Sequence, residues 1–125
     1  MDGPEIDEKI AVLLKEMTLE EKIGQMVYLN FGYQEPLDAI RRGEVGLIAN
    51  VKNAERMNRL QKIAVHESRL GIPILFGNDV LHGFRTIFPI PLAEACSWDP
   101  RLYEETANWA AKEASATGTQ LIFAP

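Results

Sequence analysis

VGLIANVKNAERMNRLQKIAVHESRLGIPILFGND, residues 45–79, places two short apolar runs on either side of one amphipathic helix. The first run, Val45-Gly46-Leu47-Ile48-Ala49, is long enough for a strand and carries no charge. Asn53 stands where a helix N-cap belongs, and Met57, Leu60, Ile63, Ala64 and Val65 then recur at helical intervals on one face. Gly71 is expected to close that helix in the left-handed conformation that glycine favours. Pro73-Ile74-Leu75-Phe76 is the next strand. Neither run alternates polar with apolar residues, the pattern of strands covered on both faces. A helix between two such strands makes them parallel neighbours.

The same alternation extends in both directions. Upstream, Ile6, Ile10, Leu13, Leu14 and Met17 share one helical face. Thr18-Leu19-Glu20-Glu21 is a capping box, with Glu21 placed to reach back to the Thr18 amide. A short helix to Gln25 leads into the apolar run 26–29, read as a strand, and a helix over 36–42 ends at Gly43. Downstream, Asp99-Pro100 marks an N-cap followed by proline in the first turn. That helix runs to about Thr117, Gly118 ends it, and 120–123 form a fourth strand. The class is therefore α/β, with about four β/α units, which would make the first half of a (β/α)8 barrel of TIM type. An open flavodoxin-like sheet fits the same string of elements. The chain reads as a single domain over 1–125, a leading helix (1–17) followed by the β/α units (18–125). A half barrel leaves two sheet edges open, so self-association or pairing with a missing half is expected.

Composition excludes several partners. A net charge of −5, with 18 acidic against 13 basic residues, is unsuited to a nucleic-acid groove. Arg41 and Arg42, beside Glu44 at a helix end, read as solvated dipole complement. No apolar run approaches the ~18 residues of a membrane span. No basic segment followed by an apolar stretch opens the chain, so no signal peptide is read in it. Cys96, the single cysteine, rules out an internal disulfide and reads as a small core residue; Trp109, within a helix, reads as core as well.

In parallel α/β folds ligands meet the carboxyl ends of the strands. That rule selects the loops 30–33, 50–53 and 78–88. The third is the richest, Gly77-Asn78-Asp79-Val80-Leu81-His82-Gly83-Phe84-Arg85-Thr86. A carboxylate at Asp79, just past an apolar strand, can accept hydrogen bonds from adjacent hydroxyls, as sugar sites require. His82 and Arg85 stand near enough in sequence to support it. The alternative is that Asp79 pairs with one of them only to pin the loop. Phe31 and Tyr33, in the first strand-end loop, offer faces on which a sugar can stack. Metal hydrolysis through Asp79 and His82 lacks a third ligand, since His66, the other histidine, falls within a helix. No metal and no cofactor are expected. Neither Cys96 nor Ser97 sits in a nucleophile elbow, and no glycine-rich phosphate loop follows the first strand. Glu94 and Glu113 fall on helices as solvated or capping groups.

From about Ile10 onward the chain resembles family 3 glycoside hydrolases, the bacterial periplasmic β-glucosidases among them. The resemblance rests on ordered blocks: Met17-Thr18-Leu19-Glu20-Glu21-Lys22-Ile23-Gly24-Gln25-Met26, Ser68-Arg69-Leu70-Gly71-Ile72-Pro73, Asn78-Asp79-Val80-Leu81-His82-Gly83 and Thr86-Ile87-Phe88-Pro89-Ile90-Pro91-Leu92. Ser97-Trp98-Asp99-Pro100, Ala111-Lys112-Glu113-Ala114 and Phe123-Ala124-Pro125 continue the series. The resemblance implies a retaining, exo-acting β-glucosidase, or a xylosidase, acting on oligosaccharide ends in the periplasm or outside the cell. It implies that Asp79 binds hydroxyls of the terminal sugar, with His82 and Gly83 shaping the loop. It also implies that the nucleophilic aspartate, the acid/base and further sugar-binding segments lie beyond Pro125. Retaining chemistry needs two carboxyl groups about 5–5.5 Å apart, and no second candidate stands in these residues. The chain alone is expected to be inactive.

Overall fold

A computed structural model of the chain describes residues 3–30 and 35–124. Ten elements follow one another: α1 (Gly3–Glu16), α2 (Leu19–Gln25), β1 (Tyr28–Asn30), α3 (Leu37–Arg41), β2 (Leu47–Ala49), α4 (Ala54–Glu67), β3 (Leu75–Asp79), α5 (Pro91–Ala95), α6 (Pro100–Ala116) and β4 (Leu121–Phe123). The strands form one parallel sheet in the order β1-β2-β3-β4. Each crossover therefore steps one place in the same direction. A flavodoxin-like sheet reverses its direction of winding, and this one does not. The order is that of a barrel wall.

Sequence chemistry sets the helix ends. The Thr18 hydroxyl accepts the Glu21 N–H at 3.2 Å, and the Glu21 carboxylate accepts the Thr18 N–H at 2.9 Å, so the expected capping box is formed. Asn53 and Asp99 cap α4 and α6 through the N–H groups of Arg56 and Arg101. Gly43 and Gly118 take φ of +72° and +97° just past α3 and α6. At each, two N–H groups fold back on the last turn: Gly43 to Ile40 and Glu44 to Ala39, then Gly118 to Ser115 and Thr119 to Ala114. Both are Schellman closures.

Gly71 has a left-handed φ of +62°, yet it does not end its helix. α4 stops at Glu67, where the Ser68 hydroxyl donates to the Ala64 carbonyl and accepts the Gly71 N–H. The strands also start later than the apolar runs suggest. Met26 serves as the C-cap of α2, so β1 begins at Tyr28. Proline at 73 has no N–H, and Gln61 takes both polar groups of Ile74, donating to its carbonyl and accepting from its N–H. β3 consequently runs Leu75–Asp79, and Asp79 is its last residue rather than part of a loop.

The core lies on one side of the sheet. Ile48 and Phe76 pack with Ile40, Val45, Val51, Met57, Leu60, Ile63 and Ala64 beneath α3 and α4. Val80, Phe84, Ala110, Ala114 and Ile122 form a second cluster against α6. The other face is open: Tyr28, Leu75 and Leu121 are all exposed. The expectation that these strands are covered on both faces therefore fails for the described residues. Similarly, α1 buries none of its residues, and Ile6, Ile10 and Leu14 on its apolar stripe are exposed. Trp109 is 51% exposed beneath the Lys112 ammonium, and Cys96 is exposed, so neither is core. Trp109 faces outward from α6, whose buried residues are the small Ala110 and Ala114, and Cys96 is the C-cap of α5, which buries none of its residues.

Electrostatic ties hold the layers in register. The Arg69 guanidinium grips the Glu21 carboxylate and donates to the Glu16 carbonyl, joining the α1–α2 junction to the segment after α4. Hydrogen bonding from Arg69 first, and from Thr18 second, holds the Glu21 carboxyl below the usual glutamate range. Arg41 bonds Asp38 and Glu67, and Arg42 bonds Glu44 through two hydrogen bonds, so this arginine pair is engaged in ion pairs rather than simply solvated.

Candidate sugar-binding site

Alternation along a strand decides which side chains reach the open face. Register places Asn30 beside Ala49, Ala49 beside Gly77, and Asp79 beside Phe123. The carboxyl ends of three neighbouring strands thus carry Asn30, Asn50 and Asp79, the first two directly after an apolar run and the third after Asn78. Gly77 sits one pleat below Asp79, where an added Cβ would lie 2.8 Å from the Phe123 ring. The Phe123 ring, with Leu47 Cδ2 at 3.5 Å from the same point, fills the room that a side chain there would need.

Asp79 is exposed, and its Oδ2 accepts from Asn50 Nδ2 at 3.1 Å. Its backbone N–H donates to Asn50 Oδ1 at 3.3 Å, while Asn50 Nδ2 also donates to Asn30 Oδ1 at 3.0 Å. Neither His82 nor Arg85 hydrogen-bonds this carboxylate; its partner among the described residues is Asn50. Among the described residues, none donates a hydrogen bond to Asp79 Oδ1, and the residue as a whole is exposed. That arrangement suits a ligand hydroxyl.

Neighbouring Asn78 points the opposite way and is fully buried. Its amide donates to Thr119 Oγ1 at 2.9 Å and to the Val51 carbonyl at 3.4 Å, tying β3 to the α6–β4 turn and to the segment after β2. The Thr117 hydroxyl in turn donates to the Ala114 carbonyl. This buried network fixes the strand end that presents Asp79.

The loop after β3 is held from outside the site. The Glu113 carboxylate, on α6, accepts the Thr86 hydroxyl at 2.6 Å and the N–H groups of Thr86 and Arg85 at 2.9 and 2.8 Å. Those bonds, the Thr86 hydroxyl foremost, keep the Glu113 carboxyl below its ordinary value. His82 Nδ1 lies 3.0 Å from the Phe88 carbonyl, and since a carbonyl only accepts, Nδ1 carries the proton. His82 and Arg85 therefore engage the loop's own frame, His82 through its ring and Arg85 through its amide. His82 also lines a cavity of about 210 Å³ with Leu81, Glu94 and Tyr103. Glu35, after the first strand-end loop, pairs with Arg56 and Arg59 of α4. Phe31 and Tyr33 lie outside the described residues. Among the described residues no three His, Cys, Asp or Glu side chains gather as a metal site, and no helix is long and apolar enough to cross a membrane.

Asn30 and Asn50 are the site residues that motif reading passes over. The signal was present: each of the first three apolar runs ends in an Asn or an Asn-Asp pair.

The glycosyl hydrolase family 3 N-terminal domain model matches residues 18–125. The chain belongs to glycoside hydrolase family 3. It is 37% identical over 123 residues to a periplasmic β-glucosidase of Salmonella typhimurium, covering 95% of this chain and 16% of that protein. A β-xylosidase of Formosa agariphila is 28% identical over 97% of this chain and 13% of its own length. A β-glucosidase of Listeria innocua, solved in complex with isofagomine, superposes with a TM-score of 0.83 at 33% identity. It covers all of this chain, which corresponds to 18% of that structure. The chain thus spans about a sixth of these relatives, and its four strands match a portion of a family 3 barrel domain.

Proposed function

We propose that these residues form the sugar-orienting wall of a retaining, exo-acting β-glucosidase, in which Asp79 accepts hydrogen bonds from hydroxyls of the terminal sugar. The observation that carries this reading is the geometry of Asp79. It ends β3 on the open face, one carboxylate oxygen is fixed by Asn50, and the other accepts no hydrogen bond from the described residues. A charged acceptor that is already oriented holds a hydroxyl more strongly than a neutral one and loses little freedom in doing so. His82 and Arg85 shape the loop beside it, and Phe31 supplies a stacking face at the first strand end. The Listeria structures, solved with isofagomine, laminaribiose and glucose, support a sugar as the ligand class.

In this reading the nucleophile and acid/base come from segments outside the 125 residues, which also cover the open sheet face and pair with the edges of β1 and β4. The leading segment, 1–17, which contains α1, precedes the barrel units of 18–125 in the one domain. In this reading Glu94 and Glu113 are not a catalytic pair, which is supported by Glu113 anchoring a loop from α6. The resemblance to periplasmic enzymes extends the proposal to a periplasmic or secreted setting.

The test is hydrolysis of aryl β-glucosides and β-xylosides by the full-length gene product, with Asp79→Ala alongside. Loss of one charged hydrogen bond in the transition state predicts a fall in kcat/KM of at least about tenfold, and of about a hundredfold if two hydroxyls are held. NMR of the first product should find the β-anomer, as retention requires. The 125-residue chain alone should give no turnover. Undiminished kcat/KM in Asp79→Ala would sink the assignment.

A further inference from the structure

We infer that Asn50 is the positioning residue for Asp79, holding its carboxylate in the orientation that receives the sugar. The inference rests on the proposed role of Asp79 and deepens it.

Asn50 has φ +63°, one of two non-glycine residues in the left-handed region among the described residues. Asparagine is the side chain that tolerates this conformation best, though it remains less favourable than extended backbone. Such a residue persists where the surroundings over-determine it, and functional sites collect them. Here the backbone is held by the Asn50 N–H donating to the Gly77 carbonyl at 2.8 Å. The left-handed turn directly after β2 sends the side chain across the strand ends toward β1 and β3.

The orientation of the amide follows from its partners. The Asp79 N–H can only donate, so the atom facing it at 3.3 Å is the Asn50 oxygen. An ionised Asp79 carboxylate can only accept, so the atom facing it at 3.1 Å is the nitrogen. The second Nδ2 proton goes to Asn30 Oδ1 at 3.0 Å, and both protons are then engaged. One planar amide thus grips the backbone and the side chain of the same aspartate, and Asn30 braces it from β1. That two-point grip fixes the Asp79 side-chain torsion, leaves Oδ1 for the ligand, and reserves Oδ2 for the protein. A residue needed only to turn the chain after β2 would require neither contact, and glycine would serve.

The experiment uses kcat/KM for an aryl β-glucoside in the full-length gene product, with Asn50→Gly, Asp79→Ala and the double variant. Asn50→Gly removes the amide and relieves the backbone, so its melting temperature should match or exceed that of the parent. Its kcat/KM should nevertheless fall roughly tenfold, the scale of one charge-assisted hydrogen bond. Asn50→Asp keeps the side-chain shape but turns an acceptor toward the Asp79 carboxylate, and should fall further. The decisive comparison is the double variant, where Asn50→Gly should have no additional effect once Asp79 is alanine. Equal fold-losses in both backgrounds would overturn the inference, because Asn50 would then act independently of Asp79. Parental activity in Asn50→Gly, with Asp79→Ala impaired, would overturn it while leaving the sugar-binding proposal intact. Parental activity in Asp79→Ala would remove that proposal and this inference together.

Discussion

Leu60→Ala tests whether α4 is the helix that carries the sheet. Leu60 is 0% exposed, within the cluster that includes Ile48 and Phe76 on the sheet and Ile63 and Ala64 on its own helix. The substitution deletes three carbons, about 2.4 kcal/mol of transfer free energy at about 0.8 kcal/mol per methylene. A cavity term is added, because neighbours on the sheet and the helix cannot both collapse into the gap. Comparable substitutions span roughly 2.7–5.0 kcal/mol, so about 3–4 kcal/mol is expected. That is a large part of a stability of order 5–15 kcal/mol. Urea unfolding of the purified chain, followed by circular dichroism, should lower the midpoint by about 1–3 M with the slope unchanged. Leu60→Met, which keeps the volume, should cost less than about 1.5 kcal/mol. Leu14→Ala on α1, where the side chain is exposed, should stay within about 0.5 kcal/mol. A loss below about 1 kcal/mol for Leu60→Ala, or one no larger than that for Leu14→Ala, would refute this packing.

Two further outcomes follow from the caps and anchors. Thr18→Ala removes the hydroxyl that accepts the Glu21 N–H and should cost about 1 kcal/mol, measured by the same unfolding assay. Glu113 governs an acid response: its folded-state carboxyl is held below the ordinary glutamate value, chiefly by the Thr86 hydroxyl. Its contribution is therefore complete above the unfolded value of about 4.3 and is lost as pH falls through the lower folded value. Thermal midpoints measured from pH 7 down to 3 should drop less steeply below pH about 4.3 in Glu113→Ala than in the parent. Amide exchange at Arg85 and Thr86 should quicken in that variant at pH 7, since both N–H groups lose their acceptor. Identical acid limbs in parent and variant would refute the anchor.

Local chemistry announced most of the elements. The Thr18-Glu21 box, the Asn53 and Asp99 caps and the Gly43 and Gly118 closures act within two to five residues, so their partners are close in sequence. The block containing Asp79 was equally legible, because strand ends in parallel folds are where polar residues follow apolar runs. The composition of those runs misled in one respect. An apolar run records how much of a strand avoids water in the finished protein, and here one sheet face and the α1 stripe are open in the described residues.

Three features depended on partners distant in sequence. The winding order β1-β2-β3-β4, which separates a barrel wall from an open doubly wound sheet, is a matter of which edge each strand joins. The start of β3 was decided by Gln61, 13 residues away, which takes the polar groups of Ile74 before a ladder can. The hold on Asp79 came from Asn50, 29 residues upstream, and not from His82 or Arg85 nearby. Sequence by itself determined the alternating elements, their caps and the carboxylate at a strand end, because short-range hydrogen bonding and periodicity set those. Tertiary structure alone decided the direction of winding, which face stays open and which side chain orients Asp79. Each of those is a contact between strands, and parallel strands meet only after a crossover has carried the chain back across the sheet.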